Sequence, residues 1–107
     1  MAVDALQLKK GDRVVEIGCG TGRNFGMLEL AVGSDGVITA VDLSERVLAR
    51  ARKRVARHGW SNIELVHCDA ASYAFPASVD GVLFTYSLVV VPEYDKVVEN
   101  ACQALKA

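Results

Sequence analysis

The chain has 107 residues, 51% of them hydrophobic, and a net charge of −1. This length gives one domain with a real but thin core, the apolar content argues against disorder, and the near-neutral charge gives no overall pull toward nucleic acid or an anionic membrane. No apolar run reaches the roughly 18 residues a membrane span needs, and residues 1–10 are too polar for a signal peptide.

A compact apolar run at 13–18 (RVVEIG) follows the turn Lys10-Gly11-Asp12 and predicts the first strand. Residues 23–32 have a helical pattern that stops at Gly33, before the turn Ser34-Asp35-Gly36. A second β-branched run occupies 37–42 (VITAVD). Ser44 is a good N-cap for a long helix through His58, with Gly59 as its C′ residue. A third strand is predicted at 63–69 (IELVHCD) and a fourth at 80–86 (DGVLFTY); the crossover between them, 70–79, has Pro76 and no helical period, and is expected to be a loop or one short helical turn. Pro92 sits at a first helical position, and Tyr94, Val97, Val98, Ala101 and Leu105 share one face of the helix that follows. The strand runs are continuously apolar, as expected where helices cover both sheet faces. The predicted fold is therefore α/β, a Rossmann-like, doubly wound and mainly parallel sheet with three main helices.

The strongest motif is Glu16-Ile17-Gly18-Cys19-Gly20-Thr21-Gly22, at the junction of the first strand and first helix. Three glycines at alternate positions allow a sharp turn and leave no Cβ to block a ligand against the backbone. A dinucleotide fingerprint requires G-x-G-x-x-G. Here the third glycine comes one residue early and Arg23 takes its place, so the spacing disfavours NAD. Asp42 ends the second strand twenty residues after Gly22, where a carboxylate can accept hydrogen bonds from both hydroxyls of a ribose. Taken alone it is an exposed strand end; after this glycine loop the ribose role is preferred. Asp69, at the end of the third strand, is placed to read an adenine amine, with the Ala70 N–H toward a ring nitrogen, or else to cap the next turn. All three features fall on the carboxyl edge of the sheet, where open α/β sheets bind ligands.

The segments VVEIGCGTG, AVDLS, HCDA and DGVLFTYSLVV resemble, in order, the successive motifs of class I S-adenosylmethionine-dependent methyltransferases, from about Gly11 to Leu105. The resemblance implies a strand order of 3-2-1-4 and S-adenosylmethionine as cofactor, with S-adenosylhomocysteine as its product. It also implies roles for single residues. Glu16 would act near the methionine amino group, and Gly18, Cys19 and Gly20, with Thr21 and Gly22 in the same loop, would line the methionine and sugar. Leu43 would pack on the adenine beside Asp42, Asp69 and Ala70 would bind the adenine edge, and Thr85 would face the cofactor or the substrate entrance. Family members have seven strands, of which four are visible here. Residues 1–107 are thus expected to be a single cofactor-binding domain, a fragment or minimal form of a methyltransferase. The resemblance leaves strand four as an apolar edge, from which a homodimer is expected.

No residue stands out as catalytic. Tyr86 and Ser87 are the candidates after strand four, and Tyr86 reads equally as a buried aromatic. The absence of an Asp/Asn-Pro-Pro-Tyr segment disfavours methylation of nucleic acid bases, and TYSLVVVP is similar to small-molecule and phospholipid amine methyltransferases. A small-molecule or lipid-amine acceptor is expected, with cofactor capture without turnover as the alternative. Arg46, Arg50, Lys53 and Arg57 form a basic face on the second helix, which also carries Arg52 and Arg54. Such a face is usually solvated; contact with anionic lipid is its weaker reading. Cys19, Cys68 and Cys102 share no metal spacing with His58 or His67, so a reduced, cytoplasmic setting with buried thiols and no metal is expected.

Overall fold

The computed structural model describes residues 8–76 and 78–84. Its elements are β1 (Arg13–Ile17), α1 (Phe25–Val32), β2 (Val37–Asp42), α2 (Glu45–His58), β3 (Ile63–His67), a single 3₁₀ turn (Ala70–Ser72) and β4 (Gly81–Phe84). The four strands form one parallel sheet in the order β3-β2-β1-β4, as the resemblance implied. Ile17 pairs with Val41 and with Phe84, and Asp42 pairs with His67. This register brings the carboxyl ends of all four strands to one edge.

Alternation along the strands divides the core into two faces. On one, Val14, Ile38 and Leu83 pack with Leu28 and Val32 of α1, while Ala40 packs with Phe25, Cys19 and the α2 residues Leu48 and Ala51. Fully burying a side chain such as Leu28 stabilises the fold by about 2 kcal/mol, so each helix is held by a few such contacts. On the other face, Val15, Ile17 and Val41 pack against Ala70, Ala71 and Val79, with Tyr73 and Phe75 alongside. Both described helices cover the same face. The crossover after β3 covers the other.

Most boundaries agree with the sequence expectation, and the differences have local causes. α2 starts after Ser44, whose hydroxyl accepts from the Val47 N–H at 3.3 Å, and ends at Gly59 in the left-handed region (φ 70°). α1 starts at Phe25 rather than Arg23 because residues 21–24 continue the loop as turns, the Gly22 N–H donating to the Cys19 carbonyl and the Phe25 N–H to the Gly22 carbonyl, both at 3.1 Å, with Asn24 as N-cap. β3 stops at His67, two residues early, because the Asp69 side chain accepts from the Ala71 N–H at 3.0 Å and starts the 3₁₀ turn. Of the three helices expected, two lie among the described residues; the third, at 92–105, lies outside them, as do Thr85, Tyr86 and Ser87.

Candidate functional site

β1 ends against β2, and the glycine loop is laced to the tip of that neighbour. The N–H groups of Gly18 and Cys19 donate to the Val41 carbonyl at 2.7 and 3.2 Å. The Gly20 N–H donates to Oδ2 of Asp42 at 2.9 Å, and Oδ1 accepts from the Ser44 N–H at 2.9 Å. Asp42 therefore joins the loop after β1 to the start of α2 through one nearly buried carboxylate, 9% exposed. An ionised carboxylate offers about four acceptor sites, and these bonds use two. Gly18, Gly20 and Gly22 all have positive φ (78°, 60° and 87°), which L side chains adopt only at a cost.

The loop glycines serve different purposes. A Cβ on Gly22 would fall 2.5 Å from the Phe25 ring, so that glycine permits close packing within the loop. A Cβ on Gly20 would meet nothing within 4 Å. The backbone there faces open space, as required where a ligand lies against it. Next to Asp42, Leu43 is 54% exposed, an apolar surface at the edge of the loop. Its carbonyl accepts from Nε2 of His67 at 2.8 Å, and Nδ1 of His67 stands 3.3 Å from Glu45, which also pairs with Arg52.

The other site residues separate into those at the surface and those beneath it. Asp69 and Ala70 stand just past β3 on the same sheet edge, where the Cys68 N–H donates to the Asp42 carbonyl at 3.1 Å. Asp69 caps its turn, one of the two roles expected of it, and the Ala70 side chain is buried in the core. Glu16 is fully buried under the loop, where its Oε2 accepts from the Asn24 side chain at 2.8 Å. That contact explains why Asn24, an N-cap residue, makes no side-chain cap on α1. The Cys19 side chain packs into the core beneath the helices, so what it presents to the loop is its backbone. Burial, then the nearby Glu16 and Asp42 carboxylates, push its thiol from 9.0 up to about 12. Thr21 is half-buried, and its carbonyl accepts from Nε of Arg54 at 3.0 Å.

Sequence reasoning identified the glycine loop, Asp42, Leu43 and Asp69 and placed them on one edge, where the structure brings them together. It missed Asn24, Arg54 and His67, which brace the loop and the Leu43 carbonyl. Asn24 left a signal, a polar residue just past a glycine loop. The partners of Arg54 and His67 lie 33 and 24 residues away and left none. The residues present fit the chemistry of an adenosyl cofactor: a carboxylate with acceptor sites to spare at Asp42, bare backbone at Gly20 and an apolar surface at Leu43. Among the described residues no group of three His, Cys, Asp or Glu side chains could hold a metal ion, and no helix is long and apolar enough to cross a membrane.

Comparison with known proteins agrees with this geometry. Residues 14–107 match the family model described as a methyltransferase domain. The chain is 36% identical over 92 residues to aklanonic acid methyltransferase DauC of Streptomyces sp. (strain C5), covering 85% of this chain and 42% of that protein. It is 32% identical over 102 residues to demethylmenaquinone methyltransferase of Listeria monocytogenes, covering 94% and 43%. The chain thus spans less than half the length of these relatives. In fold, it superposes with a TM-score of 0.86 on a SAM-dependent methyltransferase from Aquifex aeolicus, at 24% identity, covering 98% of this chain and 56% of that one. A family match over nearly the whole chain, a parallel 3-2-1-4 sheet and a glycine loop tied to an acid at the tip of β2 lead to one conclusion: the chain belongs to the class I S-adenosylmethionine-dependent methyltransferase family.

Proposed function

We propose that this chain binds S-adenosylmethionine along the carboxyl edge of its sheet, as the cofactor-binding part of a methyltransferase for a small organic acceptor. The observation that carries the reading is the Gly20–Asp42 contact at 2.9 Å, which sets an acid with acceptor capacity to spare beside open backbone. In this reading Asp42 accepts from the ribose hydroxyls, exposed Leu43 packs on the base, and the Gly18–Gly22 turn follows the sugar and methionine. Asp69 holds the adenine edge with the oxygen that does not cap its turn, and the Ala70 backbone assists. Glu16 and Asn24 fix the loop from below.

When bound, S-adenosylmethionine supplies an activated methyl group. The chain's own task is to hold the reacting groups in line and out of water, an alignment for which effective molarities reach about 10⁵ M. No dedicated base is required if the acceptor arrives deprotonated. The names of the two curated relatives, aklanonic acid and demethylmenaquinone methyltransferase, support a small organic acceptor. Neither names an amine, so they add nothing to the lipid-amine expectation.

Thermal denaturation with S-adenosylhomocysteine tests the reading, because a ligand specific to the folded state stabilises it by mass action. At about a hundred times its Kd the gain is ~2.7 kcal/mol, a rise in Tm of about 10–20 °C for a chain of this size. NAD at the same concentration leaves Tm unchanged. No shift with S-adenosylhomocysteine removes the proposal. Transfer of labelled methyl groups to an acceptor then separates turnover from cofactor capture alone.

A further inference from the structure

Six of the chain's 12 lysines and arginines lie on α2, against a single acid, Glu45. Four of them, Arg50, Lys53, Arg54 and Arg57, recur at helical spacing and, with Thr21 of the glycine loop, line an open cleft of about 300 Å³. We propose that this cleft is a binding site for a phosphate-class anion, separate from the cofactor edge.

Three observations support it. First, no carboxylate lines the cleft, and none of its four cations forms an ion pair among the described residues. Glu45 is engaged with Arg52 and His67 instead. Like charges three and four residues apart repel on a helix, so the arrangement is unfavourable until an anion neutralises it. Second, the open cleft has room for about ten waters at ~30 Å³ each, enough for a phosphate ester or a pyrophosphate. Third, Arg54 is half-buried and tethered: its Nε donates to the Thr21 carbonyl at 3.0 Å, and its terminal nitrogens meet no protein acceptor among the described residues. A guanidinium fixed at one end presents its remaining donors in a fork suited to phosphate oxygens. The same hydrogen bond links the site to the glycine loop, so anion occupancy bears on the loop directly. The proposal does not depend on what the loop itself binds.

The phosphate group can belong to a soluble compound or to a lipid headgroup, and two experiments on the 107-residue chain distinguish these sources. One is calorimetric titration with inorganic pyrophosphate at low ionic strength. The other is co-sedimentation with phosphatidylcholine vesicles containing phosphatidylglycerol. Each is repeated with Lys53→Gln/Arg57→Gln, since both side chains are exposed and neither bonds to the loop. A circular dichroism melt confirms that this variant folds, and Arg50→Gln replaces it if it does not. Saturable pyrophosphate binding that weakens about tenfold or more in the variant supports the site with a soluble ligand. Vesicle binding alone, lost in the variant, supports it with a headgroup. Binding in neither experiment, or binding that the variant retains in full, overturns the proposal.

Discussion

Asp42→Asn separates the two tasks assigned to this residue, bracing the loop and holding a sugar. Asparagine keeps the shape but replaces one carboxylate oxygen with an NH₂ group, which cannot accept. Gly20 and Ser44 each donate to a different oxygen of Asp42, both at 2.9 Å, so one of these N–H groups would face a donor in a site only 9% exposed. Losing one hydrogen bond to a charged acceptor costs about 1.5–3 kcal/mol. For a chain of this size that is a fall in Tm of about 6–24 °C. Ribose hydroxyls donating to the same carboxylate lose a similar amount, which weakens S-adenosylhomocysteine binding about 10- to 100-fold. Calorimetry at 10 °C, well below the lowered Tm, measures that loss on folded protein. Asp35→Asn, in an exposed turn, is the control and shifts neither quantity. An unchanged Tm would refute the bracing role. A lowered Tm with unchanged affinity would show that the acid holds the loop and not the sugar.

Three other predictions follow from the site and its surroundings. Gly22→Ala forces a methyl to 2.5 Å from the fully buried Phe25 ring at φ 87° and lowers stability by about 2–4 kcal/mol in urea denaturation. Gly20→Ala, at φ 60° with nothing within 4 Å, costs only about 1–2 kcal/mol yet weakens S-adenosylhomocysteine binding more than tenfold; equal stability losses would contradict the assigned roles. Cys19, with its thiol pushed up to about 12, resists alkylation at pH 8 in the folded chain and reacts in urea, as read by mass spectrometry. Because the folded value lies above the unfolded one, the corresponding stability is complete below about pH 9 and is lost as pH rises toward 12, and Cys19→Ala reduces that alkaline loss. Asn62→Ala removes one side-chain nitrogen that donates to the Gly33 and Gly36 carbonyls at 3.0 and 2.9 Å. It destabilises the chain by about 2 kcal/mol without changing cofactor affinity.

Local chemistry makes much of the architecture legible in the sequence. β-branched runs mark β1 and β2, Ser44 and Gly59 bound α2, and the glycine spacing alone distinguishes this loop from a dinucleotide fingerprint. These signals act over three or four residues, through backbone sterics and single hydrogen bonds, so they can be read from the chain in order. The place of Asp69 was read from the end of the third apolar run, whereas the strand order and the role of Leu43 followed from the resemblance of successive motifs to one family.

What the tertiary structure alone decided are the partners. Asp42 reaches back 22 residues to Gly20, Arg54 reaches 33 to Thr21, and Glu16 turns under the loop to take the Asn24 amide that would otherwise have capped α1. The basic face of α2 was visible as a pattern, but the open cleft it forms beside Thr21 was not. The reason is physical. Such contacts depend on the register of β1 against β2 and on the way α2 lies across the sheet, and no local propensity encodes either.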